Sequence, residues 1–563
     1  MPRLAPLYLS RLLILSTLLS GCSAEDGPDL ILHNGTVLTV NAQDQVMEAL
    51  AVRDGLIQAV GTDTEIMAMQ TAHTEVIDLK GSSVLPGFIA AHEHPTLSAV
   101  FSGAADLSGF THKNNADVWA ALKQAVANAD KGDWVYAGGI DPILTPDLNV
   151  PMRQMLDQIA PENPVLLVSQ TLHSFWANSR AFAEAGIDKN TPDPGDGAYY
   201  QRDSSGELTG FIAENRAAQP MMAELKSPWK LFGRYEAVLD NLVANGFTSV
   251  ASLGFNVPPL MARFVSSDNL QPRIRQFFYL VEDELKYLPE QPDDDDAYFR
   301  VLGVKLWHDG SPYTGSMFTS SPYLASPLAS NLGISAGSHG EAMFSQAEMQ
   351  AKIQRYTAAG WQVAIHSQGD ASARAVTQAI KMAGPLTGPL PVLRLEHGVE
   401  LPADRIAPLA EMGVTASFHI NHILYYGDAL EDSIIGARMA QQVLPVRSAF
   451  QQGMRPTLHA DSPMFPASPF SLMQTAITRA SSSGRTLNAA EAIDIHQALR
   501  AMTINGAYQL RIEAQAGSLE PGKWADMQIV DKNPYQVATA DLQRIQVRAV
   551  YLAGQRKYAA HEE

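Results

Sequence analysis

Between residues 83 and 459 the chain alternates short apolar runs with helical stretches, and this pattern constrains its fold more than any other feature. Eight runs qualify as strands: Ser83–His92, Thr248–Leu253, Ile274–Leu280, Leu302–Trp307, Gln362–His366, Leu393–His397, Val414–Phe418 and Pro456–His459. Strands that alternate with helices build parallel sheets, and eight such units close into a barrel. The expected fold class is therefore α/β, a (β/α)8 TIM-type barrel spanning 83–507. The first gap, about 100–245, is too long for one connecting helix. It is expected to hold an inserted α+β subdomain, with strands at Trp134–Gly139 and Pro164–Ser169.

The two ends read differently. Residues 29–82 carry short alternating strands separated by Asn-Gly and Asp-Gly turns, which make hairpins. Comparable strands return at Ala525–Val530 and Val547–Gly554. The segments 29–82 and 508–560 are expected to pair into one small β-sandwich domain beside the barrel.

The N-terminus has Arg3 and Arg11, an apolar run Leu12–Leu19 and then Ser20-Gly21-Cys22. This reads as a signal peptide over 1–21, with Cys22 as the lipidated residue of a bacterial lipobox and 22–28 as a tether. Cys22 is the single cysteine, so no intramolecular disulfide can form. The expected location is the cell envelope, anchored by lipid on Cys22. Ser23, rather than Asp, after the cysteine favours the outer membrane in a Gram-negative cell. A formal charge of −19 and the lack of a basic stripe exclude a nucleic-acid partner. The acidic run Asp293–Asp296 reads as a solvated loop, because four adjacent carboxylates cannot converge on one ion. No protein partner is legible, and a homodimer is compatible with the sequence.

Barrel enzymes carry their chemistry at the C-terminal ends of the strands. The first strand ends His92-Glu93-His94, and alternate residues share a face, so both imidazoles can reach one ion. The fourth strand carries Lys305, the fifth ends at His366, the sixth at His397, and Asp461 follows the eighth. Each signal is weak alone. A His-x-His pair arises by chance, and a single buried histidine is more often a satisfied core residue. Together they place nitrogen, carboxylate and lysine on one rim, a ligand set suited to zinc or another first-row divalent ion.

The segments Val84–His94, Gly303–Ser311, Val363–Asp370, Arg394–Gly398 and Gly517–Asp526 resemble those of the amidohydrolase superfamily, in its YtcJ-like branch (amidohydrolase family 3). The resemblance runs over about 29–555. It implies a carbamate formed from CO2 on Lys305. It also implies two divalent ions, zinc in the first instance: one on His92, His94, Lys305 and Asp461, the other on Lys305, His366 and His397. A hydroxide bridging the ions would attack a small-molecule amide, with Asp461 as the catalytic proton carrier. The branch usually has a Ser-Asp pair where this chain has Ala460-Asp461, and His459 ahead of it has no assigned place. Expected substrate contacts are His173, Trp134, Asp141, His419 and His422, with Tyr313 and Tyr323 after the fourth strand. The expected activity is hydrolysis of an amide C–N bond. The alternatives are a lactone, ester or phosphotriester, and a non-catalytic metal- or ligand-binding lipoprotein. Fold and family do not fix the substrate.

Overall fold

The computed structural model describes residues 27–560 apart from 196–197, 226, 269–270 and 293–295. The signal segment 1–21, Cys22, most of the 22–28 tether and the first three residues of the acidic run lie outside the described residues. Among the described residues no helix is long and apolar enough to cross a membrane.

Eight parallel strands form the centre. They are β1 (Phe88–Glu93), β2 (Phe247–Leu253), β3 (Arg275–Leu280), β4 (Phe299–Trp307), β5 (Gln362–Ser367), β6 (Leu393–His397), β7 (Thr415–Phe418) and β8 (Thr457–Leu458). Each is hydrogen-bonded to the next, from β1 round to β8, and Lys305 on β4 lies opposite Ala364 on β5. This is a nearly closed TIM-type barrel. Helices cross outside between strands. The helix Gln346–Ala358 starts at a Ser345 cap reciprocated by Glu348, and it turns Met349, Ile353 and Tyr356 inward at helical spacing. The helix Asp370–Ala383 does the same with Ala373, Val376 and Ile380.

At the open seam the ladder between β1 and β8 is replaced by other bonds. The His94 backbone N–H donates to the Ser462 carbonyl at 3.2 Å. The buried Glu93 carboxyl group, its pKa pushed up to about 8 by burial, accepts from the backbone N–H of Ala460 at 3.2 Å and of Ser462 at 2.5 Å. One acidic side chain thus joins the first strand to the turn after the last.

The expected first strand, Ser83–His92, is two strands in the structure. Ser83–Pro86 pairs antiparallel with Met527–Val530 and parallel with Thr36–Leu38, outside the barrel. The chain then breaks at Pro86-Gly87 and enters the barrel as β1. Proline cannot continue a ladder on its N–H side. A Cβ on residue 87 would lie 2.2 Å from the Thr248 side chain, so only glycine lets the strand change sheets beside β2.

The terminal strands form two sheets. One holds Leu56–Gly61, Ala49–Arg53, Leu30–His33 and Glu75–Asp78 in that order. The other interleaves both chain ends, running Gln555–Ala559, Val547–Leu552, Met527–Val530, Ser83–Pro86, Thr36–Leu38 and Val46–Met47. Leu32, Leu50, Val84, Met527 and Ile529 share one buried cluster between them. A buried ion pair ties this layer to the barrel: Arg275 on β3 meets Asp526 through two bonds of 2.6 and 2.9 Å, with Trp524 stacked 3.6 Å over the guanidinium. Removing one partner of such a pair would leave a buried charge uncompensated, at a cost of about 3–5 kcal/mol.

Between β1 and β2 lies a six-stranded mixed sheet. Its order is Tyr199–Arg202, Leu208–Ala213, Ser174–Ala177, Val165–Ser169, Val135–Ile140 and Ala105–Asp106. It has its own apolar cluster around Val118, Leu122, Leu156 and Leu167.

Candidate metal centre and active site

The ends of β1, β6, β7 and β8 bring His92, His94, His397, His419, His459 and Asp461 into one buried cluster. Three sets of side chains there have ligand atoms close enough to share an ion: His92, His94 and Asp461; His397, His419 and Asp461; and His92, His397 and His459. Asp461 Oδ1 lies 3.2 Å from His92 Nε2 and 3.1 Å from His94 Nε2. Its Oδ2 lies 3.9 Å from Nδ1 of both His397 and His419. Asp461 and His397 both hold positive φ, 58° and 74°, conformations that non-glycine residues seldom adopt and that cluster at functional sites.

The donor atoms suit a cation. Nε2 of His92, Nζ of Lys305, both ring nitrogens of His419 and Oδ1 of Asp461 are buried without a hydrogen-bond partner. Unpartnered buried polar atoms are costly, so several converging on one point mark a site built for something else to fill. Burial, and then the nearby Lys305 charge, lower the basicity of His92 and His366. Burial with neighbouring imidazoles does the same for His397 and His459. Neutral imidazole is the metal-binding form. Burial opposes ionisation of Asp461, yet His397, His92 and His94 hold its carboxyl well below the usual range. The rim therefore sets the Asp461 carboxylate among His92, His366, His397 and His459, whose neutral form burial favours.

Lys305 projects from β4 into this group, 1% exposed, with Nζ 5.2 Å from the Trp307 ring. Burial brings its pKa down to about 8, against the pull of Glu396 and Asp461. His366 lies against His397, ring centres 4.4 Å apart, with Nε2 3.3 Å from the Gly310 carbonyl.

Two further histidines join the site. His419, expected on the substrate side, stands within 3.9 Å of Asp461 and belongs to the cluster. His459 stacks on His92 at 4.4 Å; its Nδ1 meets Ser417 Oγ at 2.8 Å and its Nε2 meets His397 Nδ1 at 3.2 Å. Sequence reasoning also passed over Glu396. Its carboxylate lies 2.6 Å from His92 Nδ1, which turns Nε2 toward the cluster. Arg394, two residues earlier on the same face of β6, clamps Glu396 through bonds of 2.7 and 3.2 Å. Burial would raise the Glu396 pKa, but the Arg394 charge leads it down to about 2. The i, i+2 spacing of Arg394 and Glu396 beside His397 was the available signal.

The expected substrate contacts separate. His422 Nδ1 lies 2.7 Å from the Tyr313 hydroxyl, and its ring is 4.2 Å from His419. Tyr323 is buried after β4, its hydroxyl donating to the Met317 carbonyl. His173 lies 3.0 Å from Glu214; desolvation works against its charge, but Glu214 prevails and raises its pKa. Asp141 accepts from the Tyr426 hydroxyl and from the N–H groups of Ile143 and Leu144, and burial raises it to about 6. Trp134 precedes the strand Val135–Ile140 while Asp141 follows it, so the two sit at opposite ends. Trp134 stacks on Tyr136, whose hydroxyl donates to Met221, and so packs in the insertion away from Asp141.

The model of the amidohydrolase family matches residues 75–558. The chain belongs to the amidohydrolase family. Among its relatives, the N-substituted formamide deformylase of Arthrobacter pascens is 27% identical over 94% of this chain and 98% of its own. The putative amidohydrolase YtcJ of Bacillus subtilis is 24% identical over 94% and 99%. An uncharacterized metal-dependent hydrolase from Pyrococcus horikoshii superposes with a TM-score of 0.72 over 91% of this chain and 99% of that one, at 22% identity, which speaks to the fold. This amidohydrolase is thus a hydrolase whose His/Asp group can bind metal.

Glu93 supports that group directly, because its two acceptor bonds flank Asp461 in the turn. Glutamine has one acceptor oxygen for the two N–H donors. Glu93→Gln should leave one of them unpaired and destabilise the amidohydrolase by about 1–3 kcal/mol. Its metal affinity should fall about tenfold or more, as for other losses of supporting bonds around a site. Denaturant unfolding and metal content of the purified variant check both.

Proposed function

We propose that this amidohydrolase cleaves an amide C–N bond in an N-acyl or N-formyl amine, an acylated amino acid or a cyclic amide. The observation that carries this reading is Asp461, an ionised carboxylate shared by two of the three potential ligand sets at the barrel rim. Deacylation of a substituted formamide by a relative of nearly the same length supports it.

His92, His94, Lys305 and Asp461 would hold one divalent ion, zinc in the first instance, and Lys305, His366 and His397 a second. When bound, such ions supply Lewis-acid polarisation of a carbonyl and acidify water to a pKa near 7. The residues do the rest. Asp461 takes the proton of the attacking water and returns it to the departing nitrogen, which leaves readily only once protonated. Glu396, clamped by Arg394, holds the His92 tautomer. His173, paired to Glu214, and His422, paired to Tyr313, are the polar groups proposed to orient substrate.

Asp461→Asn should lower amine release at least about 100-fold, the lower range for lost acid–base catalysis. Its thermal unfolding should stay close to that of the parent. Amine release from a panel of N-formyl, N-acetyl and long-chain N-acyl compounds, with chelated enzyme as control, measures it. Full activity in the variant removes the mechanism.

Lys305 would join both ions as a carbamate. Its neutral amine adds to the carbon of CO2, an N–C bond forms and one proton leaves to solvent. The product is anionic, whereas an ammonium would repel the ions. The buried, unpartnered Nζ with a pKa near 8 supports this, since only the neutral amine reacts. Metal-stripped enzyme reconstituted with zinc in CO2-depleted buffer should regain little activity. Bicarbonate should restore it, and at a fixed concentration of dissolved CO2 recovery should be faster as pH rises from about 7 to 9 and the amine loses its proton. Equal recovery without bicarbonate would favour an unmodified lysine.

The Leu19-Ser20-Gly21-Cys22 motif supports export and anchoring through lipid on Cys22. Mass spectrometry of the membrane fraction should find a diacylglycerol-modified Cys22 as the first residue. A cytoplasmic protein with a free Cys22 thiol overturns this.

A further inference from the structure

A groove of ≈ 340 Å³ runs along the inserted sheet beside the barrel mouth. That volume lies within the range of about 300–1,000 Å³ that holds small organic ligands. Its floor is one face of three antiparallel strands, Ser174–Ala177, Leu208–Ala213 and Tyr199–Arg202. The pleat sends Phe175 and Ile212 into the core and leaves Trp176, Phe211 and Tyr199 on the groove face. Trp176 and Phe211 are direct cross-strand partners with ring centres 5.7 Å apart, and Tyr199 lies 6.1 Å from Phe211. Across the groove stand Val150 and Met152. Tyr199, Val150 and Met152 are 41%, 46% and 54% exposed, an unusual gathering of apolar side chains in water.

Charge narrows the occupant. Among the described residues no lysine or arginine lines the groove, and its one carboxylate, Asp141, already accepts three hydrogen bonds. Nothing there would compensate a charged ligand. The inner end leads to the metal-type cluster. Tyr313 lines the groove and bonds His422, whose ring meets His419, which stands 3.9 Å from Asp461.

We infer that this groove is a substrate subsite, and that it takes an uncharged aromatic or aliphatic group attached to the amide cleaved at the barrel mouth. The inference rests on the proposed hydrolase activity for the word substrate, and on the groove itself for the chemistry of the ligand. Free amino-acid carboxylates and ammonium groups are excluded from this end of the molecule. Specificity arises on the insertion, while the bond-breaking residues stay on the barrel.

The test separates binding from turnover. Benzylacetone, a ketone with no bond to hydrolyse, is titrated against the holoenzyme by ligand-observed NMR, with acetone as the small analogue. The parent should bind benzylacetone at least about tenfold more tightly, and that preference should collapse in Trp176→Ala. Tyr199→Ala, at the half-exposed rim, is the second variant if Trp176→Ala fails to fold, and it should lose part of the preference. Equal binding of the two ketones by the parent, or a preference untouched by both variants, overturns the subsite. Two isomeric amides, N-benzylacetamide and N-methyl-2-phenylacetamide, then report turnover. Hydrolysis favouring one isomer supports the subsite and tells whether the amine or the acyl side enters it. Benzylacetone binding with neither amide nor any other amide cleaved supports the groove and overturns the amide reading of the reaction instead.

Discussion

The site exists because the barrel brings together two turns that the sequence holds far apart. Glu93 on β1 accepts hydrogen bonds from Ala460 and Ser462, and the second of these spans 369 residues. Without that seam, His92 and His94 would not face Asp461. The bond also fixes the turn in which Asp461 holds a left-handed conformation, an uncommon geometry that needs outside support. Barrel closure and assembly of the candidate centre are therefore one event.

Inside the closed rim, desolvation organises the electrostatics. His92, His366, His397, His419 and His459 are driven toward the neutral form and Lys305 is driven down to about 8, while the Glu396 and Asp461 carboxylates stay ionised. The carboxylates resist burial for different reasons. Glu396 has a guanidinium clamped to it, and Asp461 has imidazoles on several sides. The first is satisfied by the protein and acts through His92. The second keeps an unpartnered oxygen at the meeting of the ligand sets.

The surrounding layers divide the work. The terminal sheets grip the barrel at the end opposite its mouth, through Asp526 and Arg275, the first residue of β3. The inserted sheet lies beside the mouth, with His173, Asp141 and the aromatic groove on it. A rigid parallel barrel tolerates such an insertion after β1 because the connection there is a surface crossover.

Most of the architecture was legible because it follows from local pattern. Runs such as Gln362–His366 and Leu393–His397 are apolar, short and bounded by turns, and the structure places strands there within a residue. The change of sheet at Pro86-Gly87 was not legible: the dipeptide marks a break, but only the neighbouring Thr248 shows why glycine is needed where the strand changes sheets. The same holds for the site. His92, His94, His397 and Asp461 could be grouped from their positions at strand ends. His459 could not be placed, because its partners Ser417 and His397 lie on other strands, and the role of Glu396 toward His92 on β1 was legible only as its i, i+2 spacing from Arg394. Trp134 and Asp141, close in sequence, are drawn apart because the residues between them form an extended strand. The sequence by itself determined the strand–helix alternation, the acidic surface and the identity of the ligand-type side chains, which are properties of local periodicity and composition. Only the tertiary structure decided which of those side chains share a buried volume, because burial and long-range hydrogen bonds, not spacing, set their charge and orientation.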